Sequence, residues 1–236
     1  MQPINRDMYG NPSQVNTASA FMSKVYMWMT IGILLTGFVA MNVATNQELL
    51  NIIVGNKIVF YGLMIGEIAL VIGLSAAINR LSSVTATALF LLYATLNGAT
   101  LSVIGLIYTS SSIQSAFFTT AFSFAGLSAF GFFTKRDLGP VGNFCTMGLF
   151  GLVGMAILSI FFPSLMGGVA GQVYGLVGIL VFAGLTAYDT QAIKQMAPHA
   201  RDIEGTKKGA IMGALKLYLD FINLFLMVLR LGGNRR

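Results

Sequence analysis

Residues 141 to 162 read VGNFCTMGLFGLVGMAILSIFF, an uninterrupted run without an acidic or basic side chain. A helix rising about 1.5 Å per residue needs about 20 apolar residues to cross the hydrocarbon core of a bilayer. This run is long enough, and it lacks the polar stripe that a helix of a soluble domain turns toward water. The pattern recurs on either side of it, in Val25 to Ala44, Ile58 to Ile78, Val84 to Tyr108, Ile113 to Phe133, Val169 to Tyr188 and Ala210 to Leu229. Short linkers join these blocks, so successive helices are expected to be antiparallel neighbours. Transmembrane β-barrels are built from alternating segments of roughly ten residues, whereas these blocks are continuous. The sequence therefore predicts an all-α membrane protein, a seven-transmembrane-helix bundle.

Composition points the same way. Hydrophobic residues make up 56% of the 236 and charged residues 9%, against about 25% charged in a soluble domain. The net charge of +6 would suggest nucleic-acid binding in a soluble protein. Here the basic residues lie between the apolar blocks without interleaved aromatics, so the expected partner is the lipid bilayer and not nucleic acid. Met1 to Ala20 is polar, contains Pro3 and Pro12, and has no basic-then-apolar leader pattern. It reads as a flexible cytoplasmic tail ahead of one transmembrane domain spanning residues 21 to 236. The lone Cys145 cannot form an internal disulfide and reads as a small packing residue.

Orientation follows from Lys and Arg. The tail and the linkers after the second, fourth and sixth blocks hold Arg6, Lys24, Arg80, Lys135, Arg136, Lys194, Arg201, Lys207 and Lys208, while the alternate linkers hold Lys57. The positive-inside rule then places the N-terminus in the cytoplasm. Seven full spans put Arg230, Arg235 and Arg236 on the far side, against the rule, so a last block that enters and returns is the alternative; its length suits a full span. Small residues at four-residue spacing, Gly62/Gly66, Gly171/Gly175 and Gly209/Gly213, read as close-packing sites between helices.

Ionisable groups within the blocks are costly in hydrocarbon and mark partners or function. They are Glu67, Asp189, Lys216 and Asp220. Asp189 reads as the cytoplasmic end of the sixth helix, and Asp220 lies well inside the seventh. A hairpin folded at Arg201–Gly205 would bring both carboxylates to similar depth, while Pro198, ending the sixth helix before that turn, would make the hairpin asymmetric by several residues. Two like charges in a low-dielectric site cannot both stay ionised without a cation, which makes such a pair a proton sensor. Carboxylate oxygens are also the hard ligands Ca²⁺ prefers, and protons compete for them. The structural alternative is that Lys216, one turn before Asp220, neutralises it locally. Glu67 is either hydrogen-bonded and protonated or paired across the bundle. Arg80 either snorkels to headgroups or reaches a carboxylate.

Zinc and nucleotide motifs are absent, the one histidine being His199 in a linker. Paired aspartates on membrane helices could run aspartic protease chemistry. Tyr188-Asp189 resembles the first motif of presenilin-like proteases, but Asp220 follows Leu217-Tyr218-Leu219 in place of Gly-x-Gly, and no Pro-Ala-Leu motif comes later. No enzyme activity and no cofactor are expected.

Residues 182–191, FAGLTAYDTQ, and 214–225, ALKLYLDFINLF, resemble the two signature stretches of the Bax inhibitor-1 family, also called the transmembrane Bax inhibitor motif family. The chain is similar to its bacterial inner-membrane members, from about Val25 to the C-terminus. The resemblance implies a seven-helix fold with the C-terminal helix near the centre. It implies a pH-sensitive calcium leak, with Asp189 and Asp220 as the sensor and Ca²⁺ and protons as the ions bound or transported. Glu67 and Arg80 are the candidates for the family's helix-two glutamate and arginine. Some bacterial relatives suggest an alternative, regulation of a membrane-bound protease or another membrane protein by direct interaction.

Overall fold

The computed structural model describes residues 12 to 197 and 203 to 236, with side chains from residue 17 onward. Met1 to Asn11 of the expected tail, and Pro198, His199, Arg201 and Asp202 of the expected turn, lie outside the described residues. The chain forms α1 (Pro12–Thr45), α2 (Gln47–Ile53), α3 (Lys57–Ala77), α4 (Ser83–Leu101), α5 (Ile104–Ile107), α6 (Ser110–Phe133) and α7 (Gly139–Phe161). A 3-10 turn (Pro163–Met166) then leads into α8 (Gly168–Met196) and α9 (Ile203–Gly232). Seven of these segments are long and apolar enough to cross a membrane, α4 and α5 acting as one.

Several boundaries differ from the sequence reading, each for a physical reason. α1 begins at Pro12, inside what reads as tail; proline lacks the N–H that the first turn leaves unsatisfied, so it starts a helix at little cost. The block ending at Tyr108 is broken after Leu101, where Ser102 turns its hydroxyl back to the Ala99 carbonyl at 2.7 Å and tightens the turn before α5. α8 continues to Met196, so Asp189 is not at a helix end but about two turns inside it. α9 already runs from Ile203, which puts Glu204 in its first turn and not in the loop.

Polar caps fix the helix starts. Asn56 accepts from the N–H groups of Ile58 and Val59 at the head of α3, and the Ser82 hydroxyl accepts from Thr85 at the head of α4. The Glu204 carboxylate receives both the backbone N–H and the hydroxyl of Ser83.

The described residues group into two compact units, where the sequence suggests one domain. The first holds residues 12–110 and 196–218 and the last two residues. In it, α1 and α3 both pack on α4. Phe90 and Tyr93 of α4 meet the ring of Tyr218 edge-on at centroid distances of 5.9 and 5.7 Å. The second unit holds residues 111–195 and 219–234. Its core joins Cys145 and Leu152 of α7, Val181, Phe182 and Leu185 of α8, and Leu224 of α9. Cys145 is buried and packs as a small residue. α9 lends a segment to each unit and is the most enclosed of the spanning helices, with 67% of its apolar window buried, against 6% for α3 and 11% for α7. Large apolar side chains such as Ile58, Phe122, Phe144 and Met147 are exposed, the surface expected where lipid is the solvent.

α9 is unbroken over its 30 residues, about 45 Å at helical rise, which leaves no turn for a segment that enters and returns. Arg230, counted above as a charge outside the membrane, has a structural role. Its guanidinium donates to the carbonyls of Met166 and Gly171 at 3.1 and 3.3 Å and lies over the Tyr174 ring at 5.0 Å, so it ties α9 to the head of α8.

The glycine pairs divide. Gly171 and Gly175 lie against the last helix and Gly209 against Phe21, but Gly62 and Gly66 face open space, so that pair is not a packing site within the described residues. The closest helix approach that requires glycine is at Gly131 of α6, where an added Cβ would strike the Ala187 carbonyl of α8. Gly131→Ala should therefore destabilise the protein by about 1–3 kcal/mol. Gly66→Ala, with nothing to strike, should be neutral or slightly stabilising. Thermal unfolding of the two purified variants in one detergent measures the contrast, and equal melting temperatures would contradict the packing.

Candidate functional site

The polar stretch of α8 around Asp189 is enclosed on every side. Leu185, Thr186, Ala187, Asp189, Thr190, Gln191, Ile193 and Lys194 are all buried. Three polar residues that follow Asp189, namely Thr190, Gln191 and Lys194, find partners on α6 or in the linker after it. The Thr190 hydroxyl shares a hydrogen bond with that of Ser128 at 3.1 Å. The Gln191 amide donates to the Arg136 carbonyl and accepts from the Leu138 N–H, both at 2.9 Å. Lys194 donates to the Phe132 carbonyl at 2.7 Å, and its ammonium sits 4.6 Å from the centre of the Phe132 ring. Lys194, counted in the sequence as a linker charge, thus belongs to the last turn of α8, where a cation also favours the helix dipole. Tyr188 lies flat against α7 because Gly142 offers no Cβ there.

Asp220 is buried in α9, 5% exposed, as Asp189 is in α8, 3% exposed. α6 serves as a ruler between them. Phe221, next to Asp220, packs edge-on against Phe124 of α6 at 5.6 Å, and Thr190, next to Asp189, reaches Ser128. Phe124 and Ser128 are one turn apart, about 6 Å of rise, so the neighbours of the two aspartates meet the same turn of α6. The expected similar depth is supported by this contact and not by the loop counting, since Ile203 to Gly205, counted in the turn, are already helical. One oxygen of each carboxylate, Oδ1 of Asp189 and Oδ2 of Asp220, is shut off from solvent and accepts no hydrogen bond, while each residue is engaged through other interactions.

Glu67, Arg80 and Lys216 belong to the other unit. Glu67 of α3 accepts a hydrogen bond from the Thr100 hydroxyl of α4 at 2.7 Å, so its partner comes from across the helix pair. That contact opens a polar chain that sequence reasoning missed. Asn97, one turn before Thr100, donates to the Tyr93 hydroxyl at 3.1 Å, and its own Oδ1 is buried without a hydrogen bond. The Tyr93 ring meets Tyr218, whose hydroxyl is 2.7 Å from that of Thr36. The available signal was the spacing of Tyr93, Asn97 and Thr100, which lines one face of a helix. Arg80 is exposed in the turn after α3, its N–H bonded to the Ala77 carbonyl at 2.8 Å. Lys216 is exposed on α9, one turn before Asp220.

Among the described residues no three His, Cys, Asp or Glu side chains come together as a metal-binding group. Ca²⁺ takes six to eight oxygens, so an ion at Asp189 and Asp220 would complete its shell with hydroxyls, carbonyls or water. What the arrangement offers is two buried carboxylates whose sequence neighbours meet one turn of α6, close to the hydrogen-bonded Thr190, Gln191 and Lys194.

Comparison with known proteins agrees with the signature stretches. A family model described as an inhibitor of apoptosis-promoting Bax1 matches residues 18–236. The inner membrane protein YbhL of Escherichia coli K12 is 46% identical over 220 residues, 92% of each chain. An uncharacterised protein of Borreliella burgdorferi is 40% identical over 98% of each chain, and one of Deinococcus radiodurans is 37% identical over 100% of this chain and 98% of its own. With seven apolar helices, both signature stretches and a match over nearly its full length, the chain belongs to the Bax inhibitor-1 family.

Proposed function

We propose that this protein is a multi-pass inner-membrane protein, its N-terminus in the cytoplasm, that provides a passive calcium leak gated by protonation of Asp189 and Asp220. The observation that carries the reading is the burial of both aspartates at positions whose immediate neighbours, Thr190 and Phe221, meet one turn of α6. Two negative charges held at similar depth in such surroundings repel, so binding of a proton or of a cation there is favoured. Proton binding and cation binding are then alternatives at one place, and the state of the pair sets the closed-to-open balance of the helices that carry it. The relative named as an inner membrane protein supports the location, and the excess of Lys and Arg in the tail and alternate linkers supports the orientation. Glu67 has a supporting role on this reading, its carboxylate held by Thr100, and Arg80 and Lys216 are the further candidates for supporting or gating contacts.

The test is Ca²⁺ flux from loaded proteoliposomes across the neutral pH range. Asparagine imitates a protonated carboxyl, so the Asp189→Asn/Asp220→Asn double variant should hold the flux of the wild type at acid pH whatever the external pH. Flux that still follows pH in the double variant removes the aspartates from the sensor. A second expectation follows from competition. Ca²⁺ favours the ionised carboxylates, so raising Ca²⁺ should move the midpoint of the pH response of the wild type to lower pH. A midpoint that ignores Ca²⁺ would mean that protons and the ion do not share these groups.

A further inference from the structure

A cavity of about 590 Å³ opens between α1, α4 and the first part of α9, and no feature of the aspartate pair enters it. Its walls combine two chemistries. Lys24 of α1 and Lys207 of α9 stand at it, while Trp28, Val84, Leu91 and Ile211 give it an apolar lining. The size is that of a pocket for a small amphipathic molecule, roughly 300–1,000 Å³. It lies at the end of the helices where the basic linkers cluster, because Lys24 opens the first apolar block and Lys207 stands in the second turn of α9.

From this combination we propose that the cavity binds an anionic phospholipid, with the phosphate between Lys24 and Lys207 and an acyl chain along Trp28, Leu91 and Ile211. Basic pockets between membrane helices are suited to anionic headgroups. Lysine stems lie along apolar surface while their ammonium groups reach outward, and an indole such as that of Trp28 suits the boundary between headgroup and hydrocarbon. Among the described residues the acid beside the cavity is Glu204; its carboxylate receives the N–H and the hydroxyl of Ser83, which also lines the cavity, and so occupies the N-terminus of α4, while Lys207 and Lys208 act on it electrostatically. Lys208, next in sequence, adds a third positive charge and reaches the Asn79 carbonyl at 3.4 Å. Lys24 and Lys207 in the lining favour an anion over a zwitterion. The apolar walls favour a lipid over free phosphate. The proposal is independent of the calcium reading, since none of these groups belongs to the aspartate pair.

Native mass spectrometry of the purified full chain, titrated with phosphatidylglycerol or phosphatidylcholine, tests it. The wild type should bind phosphatidylglycerol about tenfold tighter, and Lys24→Gln/Lys207→Gln should lose that preference. Ala88→Phe places a ring in the apolar part of the cavity with both lysines intact, and should weaken both lipids. Equal binding of the two lipids by the wild type would overturn the proposal, as would undiminished phosphatidylglycerol binding by the double lysine variant or by Ala88→Phe. Displacement of bound phosphatidylglycerol by inorganic phosphate would assign the site to a soluble anion and also overturn it.

Discussion

Inside a bilayer a polar group has no water to turn to, so its hydrogen bonds must come from the protein itself. The last third of α8 is organised by that constraint. Thr190, Gln191 and Lys194 lie within five residues of Asp189 and all carry polar atoms into the interior. They are satisfied by groups that α6 leaves over, such as the Phe132 carbonyl near its end and the backbone of the following linker. Those bonds fix the rotation of α8, and the rotation determines what Asp189 faces. The close approach at Gly131 and the flat seat of Tyr188 at Gly142 remove the remaining freedom. The aspartate is held by its neighbours' hydrogen bonds before its own chemistry is considered.

The same requirement shapes the first unit by different means. There the polar atoms are fewer and spread along α4, with Thr100 serving Glu67 and Asn97 serving Tyr93. The aromatic rings of Phe90, Tyr93 and Tyr218 fill the space between, and the Tyr218 hydroxyl ends on Thr36, which in turn donates to the Ala94 carbonyl. A buried hydroxyl can both donate and accept, so serine, threonine and tyrosine serve where a charged side chain would need a counter-ion.

Much of this was legible in the chain of letters, and the failures share a cause. Seven apolar blocks were readable because a membrane span is a matter of length and continuous hydrophobicity, and Asp189 and Asp220 stood out because charge is rare there. The length of α8 was not readable. A run such as Asp189-Thr190-Gln191 has the composition of a helix leaving the membrane, and only the partners on α6 show that it stays enclosed. Lys194 and Arg230 misled in the same way, each looking like a charge outside the membrane while donating to backbone carbonyls inside the fold. Glycine spacing was ambiguous because Gly62/Gly66 and Gly171/Gly175 have one pattern and opposite surroundings. Spacing identifies a face of a helix, but whether anything packs on that face is a tertiary fact.

If the aspartate pair gates a pathway, the packing restricts how. α6 meets α8 at Gly131 with no room for sliding, and it meets α9 through the rings of Phe117 and Phe124 against Phe221. A backbone contact without slack transmits displacement as a rigid body, whereas edge-on rings can roll over one another at small cost. A change of charge at Asp189 is therefore felt by α6 and α8 together, and a change at Asp220 is more easily met by movement of α9 across the phenylalanines. The neighbours of the two aspartates meet one turn of α6 but through contacts of different stiffness, and on the proposed reading the soft one is where proton binding becomes motion.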